Sequence, residues 1–307
     1  MQHFYGLQEV NVKSAWLTIG SFDGVHLGHQ QIISKLTAGA HAEGASAVVL
    51  TFYPHPSVVL RDPRESFYLT TPEEKVVFLA KAGVDVAITH PFNDEVSVVP
   101  ARDFVIQLHK HLKIRQLLVG HDFVLGHNRQ GDVPALRHFG EELGFSVQTI
   151  EAFHKDGDVV SSSRIRGLLE AGKVDQAASL LGRSYSLSGM VERGDGRGRH
   201  LGIPTANLAV SKELVVPSAG VYAGHVVVNG KKYMAVSNIG VRPTFEAEVL
   251  APRVEAHILD FDSDIYGQEI KLIFLAHLRD EQPFPNADAL VTQIKTDIIH
   301  TRQILSN

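Results

Sequence analysis

The chain has 307 residues, of which 44% are hydrophobic and 21% are charged. This ordinary globular composition excludes a disordered, collagen-like or coiled-coil protein. Beyond about 250–300 residues a single hydrophobic core usually stops growing, so two domains are expected. Cysteine is absent, which excludes disulfides, thiolate zinc sites and cysteine nucleophiles.

The formal net charge of −5 is shared by both halves of the chain, with −4 on residues 1–182 and −1 on the remainder. Neither half has the excess of Lys and Arg that binding to a phosphate backbone needs, so no nucleic-acid partner is expected. No apolar run approaches the roughly 20 residues that span a bilayer, and residues 1–6 lack the features of a signal peptide. We therefore expect a cytoplasmic protein with no membrane partner.

Short β-branched runs alternate with helical patterns over the first 150 residues. The predicted strands are 15–20, 47–52, 84–89, 116–119 and 145–150. The predicted helices are 28–42, 72–82, 100–112 and 133–143. Thr71 and Glu74 form a capping box, with Pro72 at the first helical position. This alternation predicts a Rossmann-like α/β domain whose parallel sheet binds ligands beyond the carboxyl ends of its strands.

After residue 161 the pattern changes to two helices and then to strands separated by glycine turns. The predicted helices are 162–170 and 174–181. The predicted strands are 185–191, 220–228, 231–239, 253–259 and 270–278, and a last helix covers 287–304. Asn229-Gly230 predicts a hairpin, because both residues tolerate positive φ. We predict an α/β domain over 1–182, then a small antiparallel β-barrel with a C-terminal helix over 183–307.

A glycine-rich turn at residues 20–29 joins the first strand to the first helix. Its glycines, Gly20, Gly24 and Gly28, let the backbone approach a ligand at a helix N-terminus. His26 and His29 lie three residues apart, so both imidazoles can contact phosphate oxygens during phosphoryl or nucleotidyl transfer. A capped turn with incidental histidines and a zinc site are the alternatives, although the zinc site lacks a third ligand.

This turn resembles the HxGH signature of the nucleotidyltransferase superfamily, whose two histidines contact ATP phosphates. With residues 51–56, 120–123 and 161–166, it resembles the adenylyltransferase half of prokaryotic bifunctional riboflavin kinase/FAD synthetase. The resemblance implies that ATP and flavin mononucleotide (FMN) bind to the turn and to polar residues of two later segments. These residues are Gly20, Phe22, Asp23, Gly24, Gly28, Asp122, Ser161, Ser162, Ser163 and Arg166.

The second domain begins with a glycine-rich loop that contains Gly194, Gly198 and Gly202 and has neither a Walker A nor a GxGxxG pattern. Its backbone can fold over phosphates, and a flexible basic hairpin is the alternative. Pro204 and Thr205 follow. In an extended chain the hydroxyl of Thr205 and the amide oxygen of Asn207 point to the same side, which suits Mg²⁺.

These residues resemble the GxPTAN signature of riboflavin kinase, and the segments 238–245 and 254–257 continue the resemblance. It implies that Glu255 is the catalytic base, that Thr205 and Asn207 hold Mg²⁺, and that Gly194, Gly198, Gly202, Pro204 and Asn238 bind substrate or ATP. Three features depart from the family pattern: Ser163 in place of threonine, the segment 124–128 and the loop 245–252. No flavin contacts are assigned to residues 124–128 or 245–252.

The resemblance implies that the protein makes FMN from riboflavin and ATP, releasing ADP, and then flavin adenine dinucleotide (FAD) from FMN and a second ATP, releasing pyrophosphate. Mg²⁺ is the implied cofactor, and a weak homo-oligomer is compatible with the sequence. Two other hypotheses stay open. One is a single-activity adenylyltransferase whose barrel senses flavin, and the other is a flavoprotein that keeps FMN or FAD as a redox group.

Overall fold

The computed structural model describes residues 1–60, 66–194, 196, 198, 201–241 and 252–306. The chain divides into two compact units, Met1–Ser162 and Ser163–Asn307. None of the described helices is both long and apolar enough to cross a bilayer.

The first unit is built on a six-stranded sheet in which every neighbouring pair is parallel. Its spatial order is β1-β4-β3-β2-β5-β6. The strands are β1 Gln2–Phe4, β2 Ala15–Ile19, β3 Ser46–Tyr53, β4 Val86–Pro91, β5 Ile114–Gly120 and β6 Ser146–Ile150. A short hairpin follows, formed by β7 His154–Lys155 and β8 Asp158–Val159.

Helices cover both faces of this sheet, which explains why its central strands β2 and β3 are mostly apolar. The helices are α1 Leu27–Ala42, α2 Pro56–Leu60, α3 Pro72–Lys81, α4 Asp94–Ser97, α5 Ala101–Leu112 and α6 Val133–Leu143. Helices α1 and α3 contribute to the core that contains Val49, and α5 and α6 contribute to the core that contains Leu50. The Thr71 hydroxyl accepts a bond from the Glu74 amide at 3.2 Å, which begins α3 at the predicted position.

The second unit is a closed antiparallel barrel preceded by two helices and followed by one. Its strand order is β10-β13-β12-β11-β14-β9. The strands are β9 Ser186–Glu192, β10 Ala206–Val210, β11 Gly220–Val228, β12 Lys231–Val241, β13 Pro252–Ile258 and β14 Glu269–Arg279. The helices are α7 Ser162–Glu170, α8 Val174–Leu181 and α9 Ala287–Leu305. Both the parallel-sheet domain and the barrel with its C-terminal helix are confirmed.

The sequence predicts neither β1 nor β10 as a strand. Strand β1 has three residues and pairs only with β4 at the sheet edge, so it has little apolar pattern. Strand β10 directly follows Thr205 and pairs with both β9 and β13. Its hydrogen bonds come from distant segments, which a local pattern does not reveal.

The two helices before the barrel belong to the second compact unit. Helix α8 packs on β14 and buries Val174, Ala177, Leu180 and Leu181. The boundary between the two compact units lies after Ser162, earlier in the chain than the predicted boundary after Gly182. The predicted boundary, as the limit of an independently folding domain, stays a prediction.

We expect a fragment of residues 163–307 to be more stable than one of residues 183–307. The shorter fragment exposes the surface that α8 covers, and each large buried aliphatic side chain contributes about 1.5–3 kcal/mol. The free energy of unfolding, measured by urea titration with circular dichroism, should differ by about 3 kcal/mol or more. In the longer fragment Leu180→Ala should be destabilising, whereas exposed Gln176→Ala should have little effect. Equal stability of the two fragments would show that α8 is dispensable.

Candidate active sites

The first candidate site lies where β2 and its neighbour β5 end, at the carboxyl edge of the parallel sheet. Gly20 follows β2, and the chain then forms a 3-10 helix, Asp23–Val25, before α1 begins at Leu27. Asp122 lies just beyond β5 and is exposed. The structure thus brings the predicted turn and Asp122 to adjacent strand ends.

The two histidines of the turn are stacked at the N-terminus of α1. Their ring centroids are 3.6 Å apart with an interplanar angle of 19°. His26 caps the helix, since its Nδ1 accepts from the His29 amide at 3.4 Å. The Nδ1 of His29 is buried and has no hydrogen-bond partner among the described residues. Burial, followed by the charges of His26 and Lys75, holds the pKa of His29 well below its ordinary value, so this ring is neutral at pH 7.

Glycines make room for the rings of this turn. A Cβ at Gly28 would lie 3.2 Å from the His26 ring, and a Cβ at Gly20 would lie 3.1 Å from the Phe22 ring. Gly24 has φ of 78°, which a side chain would strain. The Phe22 ring packs edge-on against His29 at 5.1 Å. The absence of side chains at Gly20 and Gly28 therefore leaves room for the Phe22 and His26 rings.

Lys75 is a buried cation of this site that the sequence analysis misses. It is only 4% exposed, and its Nζ donates to the Ser21 carbonyl at 2.7 Å and to Thr51 Oγ1 at 3.1 Å. Burial lowers the pKa of Lys75 to about 8, against the opposing effect of Asp23. Its spacing of four residues from buried Leu79 on α3 is the signal that could have placed it on the inner face of the helix.

Asp23 and the serine run meet at the same turn. Asp23 is buried, and its Oδ1 accepts from the amides of Leu69 and Thr70 at 2.9 and 3.3 Å. The Ser162 hydroxyl donates to the Asp23 carbonyl at 2.9 Å. Through this bond Ser162 contacts the turn.

The other residues of the predicted serine segment fall on both sides of the division between the units. Ser161 belongs to the first unit, whereas Ser163 and Arg166 lie on α7 in the second. Ser163 is exposed and Arg166 is partly buried. Their contribution to the first site stays a prediction.

The second candidate site lies on the outer face of three adjacent barrel strands. The register pairs Asn207 of β10 with Glu255 of β13, and Glu255 with Asn238 of β12. Directly paired side chains point to the same face of a sheet. Because Val254 and Ala256 are buried in the barrel, Glu255 points outward together with the two asparagines.

Arg253 connects the predicted base to a predicted metal ligand, and the sequence analysis does not single it out. Its Nε lies 2.7 Å from Glu255 Oε1, and its Nε and Nη2 donate to Asn207 Oδ1 at 2.9 and 2.7 Å. Thr205 Oγ1 donates to Glu255 Oε2 at 3.3 Å. Arg253 and Glu255 alternate on β13 with buried Val254, so strand periodicity is the signal for their common face.

Two cavities meet at this group. One has a volume of about 600 Å³, and its lining includes Gly194, Gly198, Pro204, Thr205, Asn207, Arg253 and Glu255. The other has a volume of about 320 Å³, and its lining includes Ile203, Val221, Val236, Phe284, Ile294 and Asn238. Gly198, Thr205 and Glu255 line both cavities. The predicted base therefore lies on the shared wall.

The glycine-rich loop comes close to this wall. A Cβ at Gly194 would overlap the Asn207 amide group, and a Cβ at Gly198 would overlap the Ile203 carbonyl. Gly202 has φ of 73° and makes a turn before Pro204. The Pro204 carbonyl accepts from His257 Nδ1 at 2.8 Å, which fixes the start of the predicted metal-binding segment.

Asn238 is held at the side of the smaller cavity, where its Nδ2 donates to Glu281 Oε1 at 3.0 Å. Residues 242–251 are outside the described part of the chain, so the predicted match at 242–245 and nearly all of the loop 245–252 have no structural description. Where the chain is described, no cluster of three or more His, Asp or Glu side chains could hold a metal ion.

Family models match both units. One described as FAD synthetase matches residues 8–164, and one described as riboflavin kinase matches residues 181–305. A crystal structure titled as a macrolide-efflux protein from Streptococcus pneumoniae has a TM-score of 0.90 at 28% identity and covers 98% of both chains.

Three curated relatives are named bifunctional riboflavin kinase/FMN adenylyltransferase. The Escherichia coli K12 protein is 35% identical, covering 97% of this chain and 95% of its own. The Bacillus subtilis protein is 34% identical with coverage of 98% and 95%, and the Pseudomonas fluorescens protein is 38% identical with coverage of 94% and 92%. The chain therefore belongs to the family of bifunctional riboflavin kinase/FMN adenylyltransferases, with an FAD synthetase domain followed by a riboflavin kinase domain.

Proposed function

We propose that the barrel transfers the γ-phosphate of ATP to the 5′-hydroxyl of riboflavin at Glu255. The observation that carries this proposal is the shared wall, where Thr205 and Glu255 line both cavities. Phosphoryl transfer needs donor and acceptor in line and close together. Two cavities that meet at one carboxylate would bring the donor and the acceptor close together.

The residues that line the two cavities differ in chemistry, and each lining suits a different substrate. Backbone of the glycine loop and the polar groups of Thr205, Asn207 and Arg253 line the larger cavity, which suits ATP and its phosphates. Aliphatic and aromatic side chains from the barrel and α9, among them Val236, Phe284 and Ile294, line the smaller cavity. This surface suits the flat, largely apolar ring system of riboflavin.

Glu255 would accept the proton of the riboflavin hydroxyl as the oxygen attacks the γ-phosphorus. The bond between the γ-phosphorus and the β–γ bridging oxygen breaks, and ADP leaves. Thr205, bonded to Glu255 at 3.3 Å, orients the carboxylate. Strand β13, which carries Glu255, is paired with β10 on one side and with β12 on the other. This pairing keeps the base in place for the attack.

The residues of the larger cavity fit a magnesium ion. The Thr205 hydroxyl, the Asn207 amide oxygen and the Glu255 carboxylate are hard oxygen donors of the kind that Mg²⁺ prefers. Asn207 Oδ1 and Glu255 Oε1 already face one cationic group, the Arg253 guanidinium. Thr205 and Asn207 would hold the ion, which when bound neutralises charge on the β- and γ-phosphates.

The first unit would join FMN to AMP in a single displacement. A phosphate oxygen of FMN attacks the α-phosphorus of ATP, the α–β phosphoanhydride bond breaks, and pyrophosphate leaves. The neutral His29 ring and the His26 ring lie at the N-terminus of α1, where N–H groups stabilise negative charge that shifts between oxygens. The Lys75 ammonium would add a positive charge to this turn below its pKa of about 8.

Both reactions are proposed to take place in the cytoplasm, where ATP is supplied. The redox-flavoprotein hypothesis has no observation in its favour among the described residues. A flavin sensor would need neither Glu255 on the wall between two cavities nor the riboflavin kinase match over residues 181–305. A weak homo-oligomer stays a prediction.

His29→Ala should reduce FAD formation from FMN by about 10²-fold or more, the usual loss when an oxyanion-stabilising group is removed. FMN formation should be unchanged, because it occurs in the other unit. His41→Ala, at the exposed end of the same helix, is the matched control and should leave both activities intact. Chromatography of the flavins measures both products. Equal loss of both activities in a folded His29→Ala protein contradicts separate sites.

Lys75→Met should lower FAD formation at least about tenfold, because a buried ammonium near the reacting phosphates is lost. In the unmodified enzyme Lys75 is protonated below its pKa of about 8, so FAD formation should fall as the pH rises through that value. This decline should be absent from the residual activity of Lys75→Met. Lys81→Met, exposed on the same helix, should retain the pH profile of the unmodified enzyme. If the residual FAD formation of Lys75→Met declines over the same pH range, the decline belongs to another group.

Glu255→Gln should lower the kcat for FMN formation by about 10²–10⁴-fold, the usual contribution of a general base. Riboflavin affinity should change little, since the amide keeps the shape of the side chain. FAD formation from added FMN is the internal control, and Glu269→Gln, exposed at the start of β14, is the matched variant. Recovery of the rate at high Mg²⁺ would identify Glu255 as a metal ligand rather than a base.

A further inference from the structure

We propose that the Arg253 guanidinium occupies the cation position between Asn207 and Glu255, and that Mg²⁺ and ATP must displace it before the kinase site is complete. Arg253 is then a positioning residue that sets how tightly the site holds the metal. This inference rests on the proposed role of Asn207 as a metal ligand.

The contacts of Arg253 and of a metal ion at Asn207 exclude each other. An amide oxygen has two lone pairs, and two N–H groups of Arg253 donate to Asn207 Oδ1 at 2.9 and 2.7 Å. Magnesium requires its oxygen ligands at about 2.0–2.1 Å in near-octahedral geometry. An ion at that distance would meet donor hydrogens and a guanidinium charge, and like charges repel.

Glu255 is bound by the same guanidinium. Arg253 Nε lies 2.7 Å from Glu255 Oε1, and the two side chains are 29% and 24% exposed. While Arg253 stays in this position, its guanidinium occupies the Oε1 face of the proposed base. Movement of Arg253 away from the pair would therefore free the metal ligand and the base together.

The guanidinium can turn into the larger cavity. Arg253 lines this cavity, and its backbone lies in a strand that is paired on both sides, so only the side chain needs to turn. A guanidinium binds phosphate oxygens in a bidentate manner. ATP would thus draw Arg253 away from Asn207 and Glu255 while it brings the metal to them, which couples nucleotide binding to metal binding.

The experiment is titration of the full chain with Mn²⁺ in the absence of nucleotide, with free Mn²⁺ followed by electron paramagnetic resonance. Arg253→Met should tighten Mn²⁺ binding at least about fivefold, because a competing cation is removed. Arg253→Lys, which keeps the charge but not the planar fork, should give an intermediate value. Arg193→Met is the matched control, since Arg193 lies over the Tyr266 ring of the same cavity. It should change the affinity less than about twofold. Binding to the first unit is common to all variants and cancels in the comparison.

The double variant Asn207→Ala/Arg253→Met separates this inference from the proposed metal site. If Arg253→Met no longer tightens Mn²⁺ binding when Asn207→Ala is also present, the exchange of Arg253 for metal is supported. An unchanged or weaker affinity in Arg253→Met, with Asn207→Ala weaker still, overturns the exchange but keeps Asn207 as a ligand. No effect of Asn207→Ala in either background overturns the metal site itself.

A second titration, with a saturating non-hydrolysable ATP analogue, tests the coupling to nucleotide. The difference between the unmodified enzyme and Arg253→Met should shrink to less than about twofold, because ATP has already removed Arg253 from the ligands. A difference as large as that without nucleotide would show that ATP does not release the side chain, and would overturn the proposed coupling.

Discussion

The proposed kinase site depends on the antiparallel pairing of β10, β13 and β12. That register places Asn207, Glu255 and Asn238 side by side on the outer face of the barrel, where the glycine loop and α9 can enclose them. A shift of one residue would turn Glu255 into the barrel and Val254 outward. The apolar interior of the barrel therefore keeps the polar residues on its surface, because burial of Val254 and Ala256 excludes a shift of the strand by one residue.

The sequence predicts the parts of the fold that local patterns encode. Helix α6 has the predicted bounds, and α3 begins at the predicted Thr71 cap. His26 and His29 could also be predicted to act together, since their spacing at a helix N-terminus brings the rings to the same place. Such features need only the geometry of neighbouring residues.

Lys75 and Arg253 could not be predicted in the same way, because their roles depend on distant partners. Lys75 becomes part of the first site only when α3 packs beneath the carbonyl of Ser21 and the hydroxyl of Thr51. The common face of Arg253 and Glu255 is visible in the sequence, but the presence of Asn207 beside them requires the pairing of β10 with β13. A lysine on a helix or an arginine on a strand is usually solvated, so neither stands out by residue type.

Lys75 and Arg253 suit the charges of the substrates in the proposed adenylyl-transfer and kinase reactions, respectively. The hydrogen-bond acceptors of Lys75 are a neutral carbonyl and a neutral hydroxyl, so its positive charge is offset only through the more distant effect of Asp23. Adenylyl transfer joins two anionic phosphates, and their repulsion favours a positive charge that is present in the site before the substrates bind. Arg253 is instead paired with Glu255, and in the proposed exchange this pairing ends when ATP binds. Riboflavin presents a neutral hydroxyl, so the kinase site needs extra positive charge only when ATP arrives, which is when an exchangeable guanidinium would be released.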